Sequence, residues 1–329
     1  MKAIWLERTG APDVLRAVDR PVPTPGHADV LVEARAIGVS RPEVMVRNGT
    51  YAWMPALPCI PGIEMAGVVA QAGADVTHLK IGDPVFVSAR ELATRGGCYA
   101  QCIAVPAQAV QPLPAGIDLR HAACLSNYQV AWHLLHSAPA GMTFTRVLVT
   151  GAAGGVGSAL VQLARLAGTR VVGLARSAER CRCVESRGAG ASDARDASFP
   201  AQVLRATDGE GAGLVLDAVG GERFMDLLDC VAPMGLLVSY AQLGGPIPGD
   251  LIRAMRGHRA NSPAVRCFTM HAFDRFPARR AESTRQLVGQ LARGDFVPPI
   301  HSVLPLEEAA RAHALLESGA VLGKVLLQP

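Results

Sequence analysis

Up to residue 119 the apolar positions fall in short runs, among them Val30–Val32, Ala66–Ala70 and Val85–Val87. Turn-forming pieces separate them, such as Pro25-Gly26, Pro61-Gly62 and Gly82-Asp83-Pro84. Short apolar runs punctuated in this way predict strands and turns, with no alternation of strand and helix. The pattern then changes. Leu119 to Ser137 carries a helical period, and from Arg146 strand-like and helix-like segments alternate, which predicts a parallel sheet covered by helices. Further strands are expected at Leu214–Ala218 and Gly235–Tyr240. The tail reads as a strand near His301–Leu304, a helix over Leu306–Glu317 and a last strand over Lys324–Leu327.

The sharpest local signal begins at Arg146. Val147-Leu148-Val149 is a buried-strand run, and it feeds the glycine-rich turn Gly151-Ala152-Ala153-Gly154-Gly155-Val156-Gly157. Val156, Leu160, Leu163 and Ala167 then recur at helical spacing, with Gly168 as the expected C-terminal stop. A strand that opens a helix through glycines can cradle a pyrophosphate, because missing side chains admit the ligand and the helix end offers N–H groups and positive dipole. The G-x-G-x-x-G spacing is filled here by Ala152, Gly154 and Gly157. At the end of the next strand, Arg170–Leu174, an NAD site usually places Asp or Glu for the ribose hydroxyl. This chain has Ala175, followed by Arg176, Ser177 and Arg180, groups suited to a 2′-phosphate. NADPH is therefore the expected cofactor. The competing reading makes the two arginines an ordinary solvated helix start.

At 329 residues two domains are the default, and a half-apolar composition with 18% charged residues describes a globular protein. A net charge of +4 is too small to argue for nucleic acid. No apolar stretch is long enough for a membrane span, and the start of the chain lacks a signal-peptide pattern, so a cytoplasmic location is expected. The eight cysteines are scattered, which favours free thiols.

In order and spacing, these pieces resemble the zinc-independent, quinone-oxidoreductase-like branch of the medium-chain dehydrogenase/reductase superfamily nearly end to end. The resemblance is carried by Ala36–Ser40 through Arg47–Tyr51, Pro61–Gly67, Ile81–Val85, Gly151–Ser158, Asp217–Gly221 and Gly323–Val325. It implies an α/β protein with a GroES-like β-barrel catalytic domain over 1–119, a doubly wound Rossmann domain over 120–262, and a segment 263–329 returning to the catalytic domain. It implies a cleft holding the nicotinamide, lined by Ser40, Tyr51, Asn127 and Tyr128. Ser40, Tyr51 and Tyr128 are the expected hydrogen-bond donors to the substrate oxygen, with either tyrosine or solvent supplying the proton. The expected cofactor contacts are Asn127, Gly151, Ala153, Gly154, Gly155, Val156, Gly157, Arg176, Ser177, Arg180, Ala218, Val219, Ser239, Tyr240, Ala241, Phe268, Thr269 and Lys324. The implied substrate is a small molecule: a quinone, enone or enoyl compound. Runner-up readings are an enoyl-thioester or alkenal reductase of a biosynthetic pathway, or a non-catalytic dinucleotide-binding protein. A homodimer formed through the Rossmann sheet edge is expected, with no nucleic-acid or membrane partner.

Departures from the pattern are informative. Zinc-dependent relatives carry Cys where Ser40 stands and His where Ile63 stands, and the four-cysteine structural loop is absent, so no metal is expected. Ala194 replaces a tyrosine common near the adenine end, and Ser40 replaces the asparagine usual in quinone reductases. His121, His133 and His136 are expected to pack or face solvent, and Cys59 and Cys124 to be buried thiols. Arg253, Arg256, His258, Arg259 and Arg266 form either a solvated face or a border that attracts an acidic substrate.

Overall fold

The computed structural model describes all 329 residues, and they divide into two compact units, 1–126 with 284–329, and 127–283. The strands are β1 (Lys2–Leu6), β2 (Leu15–Asp19), β3 (Asp29–Val39), β4 (Glu64–Ala72), β5 (Pro84–Ser88), β6 (Cys102–Pro106), β7 (Val110–Pro112) and β8 (Arg146–Thr150). They continue with β9 (Arg170–Ala175), β10 (Gly190–Asp193), β11 (Ala212–Asp217), β12 (Val231–Ser239), β13 (Ala264–Cys267), β14 (Ile300–Pro305) and β15 (Lys324–Gln328). The helices are α1 (Arg41–Asn48), α2 (Leu119–Ala122), α3 (Leu125–His136), α4 (Gly155–Leu166), α5 (Ala178–Glu185), α6 (Phe199–Ala206), α7 (Leu251–Gly257), α8 (Pro277–Arg293) and α9 (Ala309–Glu317).

The first unit is built on a seven-stranded sheet ordered β14-β15-β3-β4-β5-β7, with β6 pairing β3. Except for the parallel pair β14–β15, its pairings are antiparallel. Long β3 has apolar residues on both faces, Val30, Val32, Ile37 and Val39 among them, and they anchor a core shared with Met65, Val85, Val87, Tyr99 and Leu327. The C-terminal strand β15 lies against β3, so the tail completes this unit's sheet.

The second unit is a six-stranded parallel sheet ordered β10-β9-β8-β11-β12-β13. Numbered within the unit, that order is 3-2-1-4-5-6, the doubly wound arrangement whose ligand crevice lies beyond the carboxyl ends of the strands at the reversal point. Here the reversal falls between β8 and β11. Leu148, Val172, Val215 and Leu237, from four neighbouring strands, pack one apolar core with Phe199 and Phe224.

Two boundaries differ from the expectation. The division falls at 126/127 and 283/284 rather than at 119/120 and 262/263. Residues 263–283 stay with the second unit because β13 continues its sheet, with Leu236 to Ser239 paired to Ala264 to Cys267. Ser283 is also tied to His133, Oγ to Nε2 at 3.1 Å. The helical stretch from Leu119 is likewise broken into α2 and α3. No helix is long and apolar enough to cross a membrane.

Candidate functional site

In the second unit the turn between β8 and α4 runs Gly151 to Gly154, with Gly154 as N-cap and no side chain capping the helix. Its first-turn N–H groups are thus left for a ligand. The two motif glycines serve different ends. A Cβ on Gly157 would come 2.2 Å from the Gly151 carbonyl oxygen and 2.7 Å from Ala152 Cα, so Gly157 is what lets α4 sit tight on the turn. A Cβ on Gly154 would meet only the Gly151 oxygen, at 3.3 Å, so the space beside Gly154 is open.

Beside this turn stands a buried carboxylate. Asp217, at the end of β11, accepts the Thr150 hydroxyl at 2.7 Å through Oδ1, the Val219 N–H at 3.1 Å and the Gly220 N–H at 2.8 Å. Thr150 in turn accepts the Ala218 N–H at 3.0 Å. The ends of β8 and β11 are locked together, and the 217–221 turn is held beside the phosphate loop. Burial pushes the Asp217 carboxyl above its ordinary range, against the pull of these donors.

The expected cofactor residues are collected by the same sheet. Gly151, Ala153, Gly154, Gly155, Val156 and Gly157 follow β8, and Arg176, Ser177 and Arg180 follow β9. Ala218 and Val219 follow β11, Ser239, Tyr240 and Ala241 lie at the end of β12, and Phe268 and Thr269 follow β13. Five strands therefore deliver them to one carboxyl-terminal edge. Ser177 caps α5 by accepting the Arg180 N–H at 3.3 Å, and Arg176 is exposed. No carboxylate stands at the end of β9, where Ala175 is buried. An uncapped helix end, open space at Gly154 and cationic groups past β9 fit a dinucleotide carrying a 2′-phosphate.

Other expected positions have different surroundings. Tyr128 is buried, and its O–H donates to Gln162 on α4 at 3.1 Å, so the structure gives that hydroxyl a partner within the Rossmann unit. Tyr51 is half-buried, its ring 5.9 Å from that of Trp53. Asn127 is half-buried at the start of α3. His133 is buried between Ser137, Ser283 and the Phe273 ring, a packing role. The basic stretch is dispersed: Arg266 donates to the Ala138 carbonyl, and His258 pairs with Asp229 at 2.7 Å. All eight cysteines are free thiols, and burial pushes Cys124 up to about 12.

Lys324, expected among the cofactor contacts, has its own polar surroundings. It lies in the interior of the first unit, where its ammonium donates to Glu64 Oε1 and to Ser40 Oγ. Strand pairing places it there. Val325 opposes Val39 and Met65 opposes Ile37, which sets Lys324 beside Ser40 and Glu64 beside Gly38, on one face of β15-β3-β4. Gly38 keeps the way clear: a Cβ there would come 2.6 Å from both Glu64 Cγ and the Ala123 carbonyl. Glu64 Oε2 also accepts the Ser126 N–H at 2.9 Å. Glu43 accepts the Ser40 N–H at 3.1 Å and the Ile63 N–H at 3.2 Å. Burial lowers the Lys324 ammonium, but Glu64 and Glu43 outweigh that and hold it above its ordinary value. Sequence reasoning missed Glu43 and Glu64, although Ser40-x-x-Glu43 is a capping-box pattern and Glu64 interrupts an apolar run.

Two buried groups set opposing pH slopes on stability. Burial, with Lys324 opposing, raises Glu43 from 4.5 to about 8. As pH rises from 4.5 to about 8, the unfolded chain ionises while the native carboxyl keeps its proton, so stability falls. Burial, with the Arg47 charge, lowers His313 from 6.5 to about 3, so stability also falls as pH drops through that window. Between 4.5 and 6.5 the two oppose. Glu43→Gln should remove the fall in stability between pH 4.5 and about 8, and His313→Asn the fall between 6.5 and about 3, each by an amount on the order of a few kcal/mol. Urea melts across pH check this; an unchanged slope in either variant contradicts that assignment.

A GroES-like β unit joined to a doubly wound sheet with an open phosphate turn defines a two-unit, dinucleotide-dependent oxidoreductase. Residues 26–115 match the alcohol dehydrogenase GroES-like domain and residues 189–327 the zinc-binding dehydrogenase family. Quinone oxidoreductase from Pseudomonas aeruginosa is 32% identical over 333 residues, covering 100% of this chain and 99% of that protein. The crystal structure of Escherichia coli quinone oxidoreductase complexed with NADPH has a TM-score of 0.88 at 28% identity, with 100% of both chains covered. A mycobacterial protein complexed with NADPH has a TM-score of 0.87 at 31% identity, again over 100% of both chains. The chain belongs to the medium-chain dehydrogenase/reductase superfamily, with quinone oxidoreductases as relatives along its whole length.

The zinc in one family description does not suit this donor set. Ser40 and Ile63 supply no thiolate or imidazole, no group of three His, Cys, Asp or Glu side chains is placed to hold a metal, and an ammonium already neutralises Glu64.

Proposed function

We propose that the protein is an NADPH-dependent, zinc-independent reductase acting on a quinone or an α,β-unsaturated carbonyl compound. The observation that carries this reading is the set of five strand ends that delivers the uncapped phosphate turn and the Arg176/Arg180 pair to one edge of the Rossmann sheet. The names and bound NADPH of the relatives support it. When bound, NADPH supplies a hydride, two electrons and one proton together, and the acceptor then takes a second proton from solvent or a side chain. The chain's part is to hold cofactor and acceptor at reacting distance and to stabilise the negative oxygen that develops. Gly154 to Gly157 would bind the pyrophosphate, and Arg176, Ser177 and Arg180 the 2′-phosphate. Ser40 and Tyr51 are the proposed donors to the acceptor oxygen, and Tyr128 belongs to this set only if its hydroxyl leaves Gln162.

Arg176→Ala with Arg180→Ala should lower kcat/KM for NADPH by about 10- to 100-fold, a loss of one or two charge-assisted contacts, while NADH is little affected. Equal losses with both cofactors would count against the 2′-phosphate assignment. A homodimer belongs to the same reading. Edge strand β13 leaves one side unpaired, with Ala264 and Cys267 exposed, and can add to a second copy. Sedimentation equilibrium should give twice the chain mass; a monomer at micromolar concentration removes this element.

A further inference from the structure

The cluster behind Ser40 holds more charge than the carriage of a hydride requires. Lys324 and Glu64 form an ion pair at 3% and 0% exposure, with the Glu43 carboxyl, also at 0% exposure and kept protonated by burial, beside it, in the interior of a unit whose strands are otherwise apolar there. Buried ions are expensive to keep, so their arrangement needs a reason.

The chemistry of the donors fixes one hydrogen atom. An ammonium has three N–H groups and no lone pair, so in the Lys324–Ser40 contact the serine oxygen is the acceptor. The Ser40 proton must therefore point elsewhere, and no protein group accepts it. Both nearby carboxyls are committed: Glu64 to Lys324 and the Ser126 N–H, Glu43 to the N–H groups of Ser40 and Ile63. The other titratable neighbours, the Cys98 and Cys124 thiols and the Tyr99 phenol, are held neutral by burial. A hydroxyl that accepts from a cation is polarised and becomes a stronger donor. Ser40 is also held at its backbone, as the residue between β3 and α1, by the Glu43 carboxyl.

We propose that Lys324 is a positioning residue for the reduction: its ammonium, anchored by Glu64, fixes and polarises the Ser40 hydroxyl as the hydrogen-bond donor to the oxyanion formed on the acceptor. This rests on the reductase reading above. The hydride and its electron pair arrive at the carbon β to the carbonyl of the enone or quinone, the C=C π-pair shifts to join the α-carbon to the carbonyl carbon, and the carbonyl π-pair moves onto oxygen as an enolate or phenolate precursor. Ser40 keeps its proton and stabilises that oxygen by hydrogen bonding, and solvent later supplies the proton that completes the product. A fixed cation thus stands one hydrogen bond behind the donor, and its charge is balanced by Glu64.

The test compares wild type with Ser40→Ala, Lys324→Met, Ser40→Ala/Lys324→Met, and Lys324→Met/Glu64→Gln, the last removing both charges so that no carboxylate is stranded. Steady-state rates with 1,4-naphthoquinone, NADPH affinity by fluorescence, and the pH at which bound 4-nitrophenol turns into its coloured phenolate are measured for each. Ser40→Ala, Lys324→Met and the charge-free pair should each lose about a hundredfold in kcat. NADPH affinity should stay within about twofold, and Ser40→Ala/Lys324→Met should be no slower than Ser40→Ala, as expected when two groups act through one contact. Bound 4-nitrophenol should ionise at lower pH on wild type than on any variant. The proposal is overturned if Lys324 variants weaken NADPH instead of lowering kcat, if the two losses multiply, or if the phenol ionises alike on wild type and Ser40→Ala. If wild type reduces neither a quinone nor an enal, the reductase reading fails, whereas the nitrophenol shift still reports whether Lys324 acts through Ser40.

Discussion

Gly157→Ala should unsettle the second unit and weaken NADPH binding by tenfold or more, although it adds a single methyl group. The added carbon would stand 2.2 Å from the Gly151 carbonyl oxygen and 2.7 Å from Ala152 Cα, both backbone atoms that cannot swing aside. Either α4 lifts from the turn or the turn opens, and both spoil the N–H cradle while costing about 2–4 kcal/mol in stability. Gly154→Ala makes the informative contrast. Its φ of −79° suits any residue, and its Cβ would meet one atom at 3.3 Å, so the fold should tolerate it. NADPH affinity should nevertheless fall, because the methyl fills the approach to the helix end. Chemical melts with fluorescence titrations separate the two glycines. Wild-type affinity in Gly154→Ala would mean that the pyrophosphate does not approach there.

Asp217→Ala should be the most damaging single change outside the glycine turn. It strands the Thr150 hydroxyl and the Val219 and Gly220 N–H groups in a place where Asp217 is itself 1% exposed. Each abandoned donor costs about 1–3 kcal/mol, so a total on the order of 4–5 kcal/mol is expected after relaxation. Because these bonds tie the end of β8 to the 217–221 turn, NADPH affinity should fall with stability. Thr150→Val removes one bond from the same network and should give a smaller loss in the same direction. A melting temperature for Asp217→Ala within a degree or two of wild type would mean that the network is not what fixes the strand ends.

The elements that could be read from the chain are those whose physics is local. The β8–turn–α4 unit announces itself because an apolar run, a set of glycines and a helical period follow one another without interruption, and the observed α4 ends at Leu166 just before Gly168. β13 gives no such signal. Ala264-Val265-Arg266-Cys267 is an edge strand with one half-buried side chain, so little apolar patterning is demanded of it, and nothing local marks it as part of the second sheet. The break between α2 and α3 escapes for another reason. The Ser126 N–H near the start of α3 is satisfied by Glu64, 62 residues away, and a periodicity count contains no such partner. The Lys324–Glu64–Ser40 cluster is the extreme case, because strand pairing joins residues 284 and 260 positions apart. Charged residues inside apolar strands, Glu64 before Met65-Ala66 and Lys324 before Val325-Leu326-Leu327, were the available clue.

The central claim is tested most directly by following NADPH and NADH oxidation by the purified protein, side by side, with 1,4-naphthoquinone and a medium-chain 2-enal as acceptors and a chelator control. Turnover that is faster with NADPH and indifferent to the chelator is the predicted result. Preference for NADH, loss of activity on chelation, or tight NADPH binding with no turnover of either acceptor would contradict it.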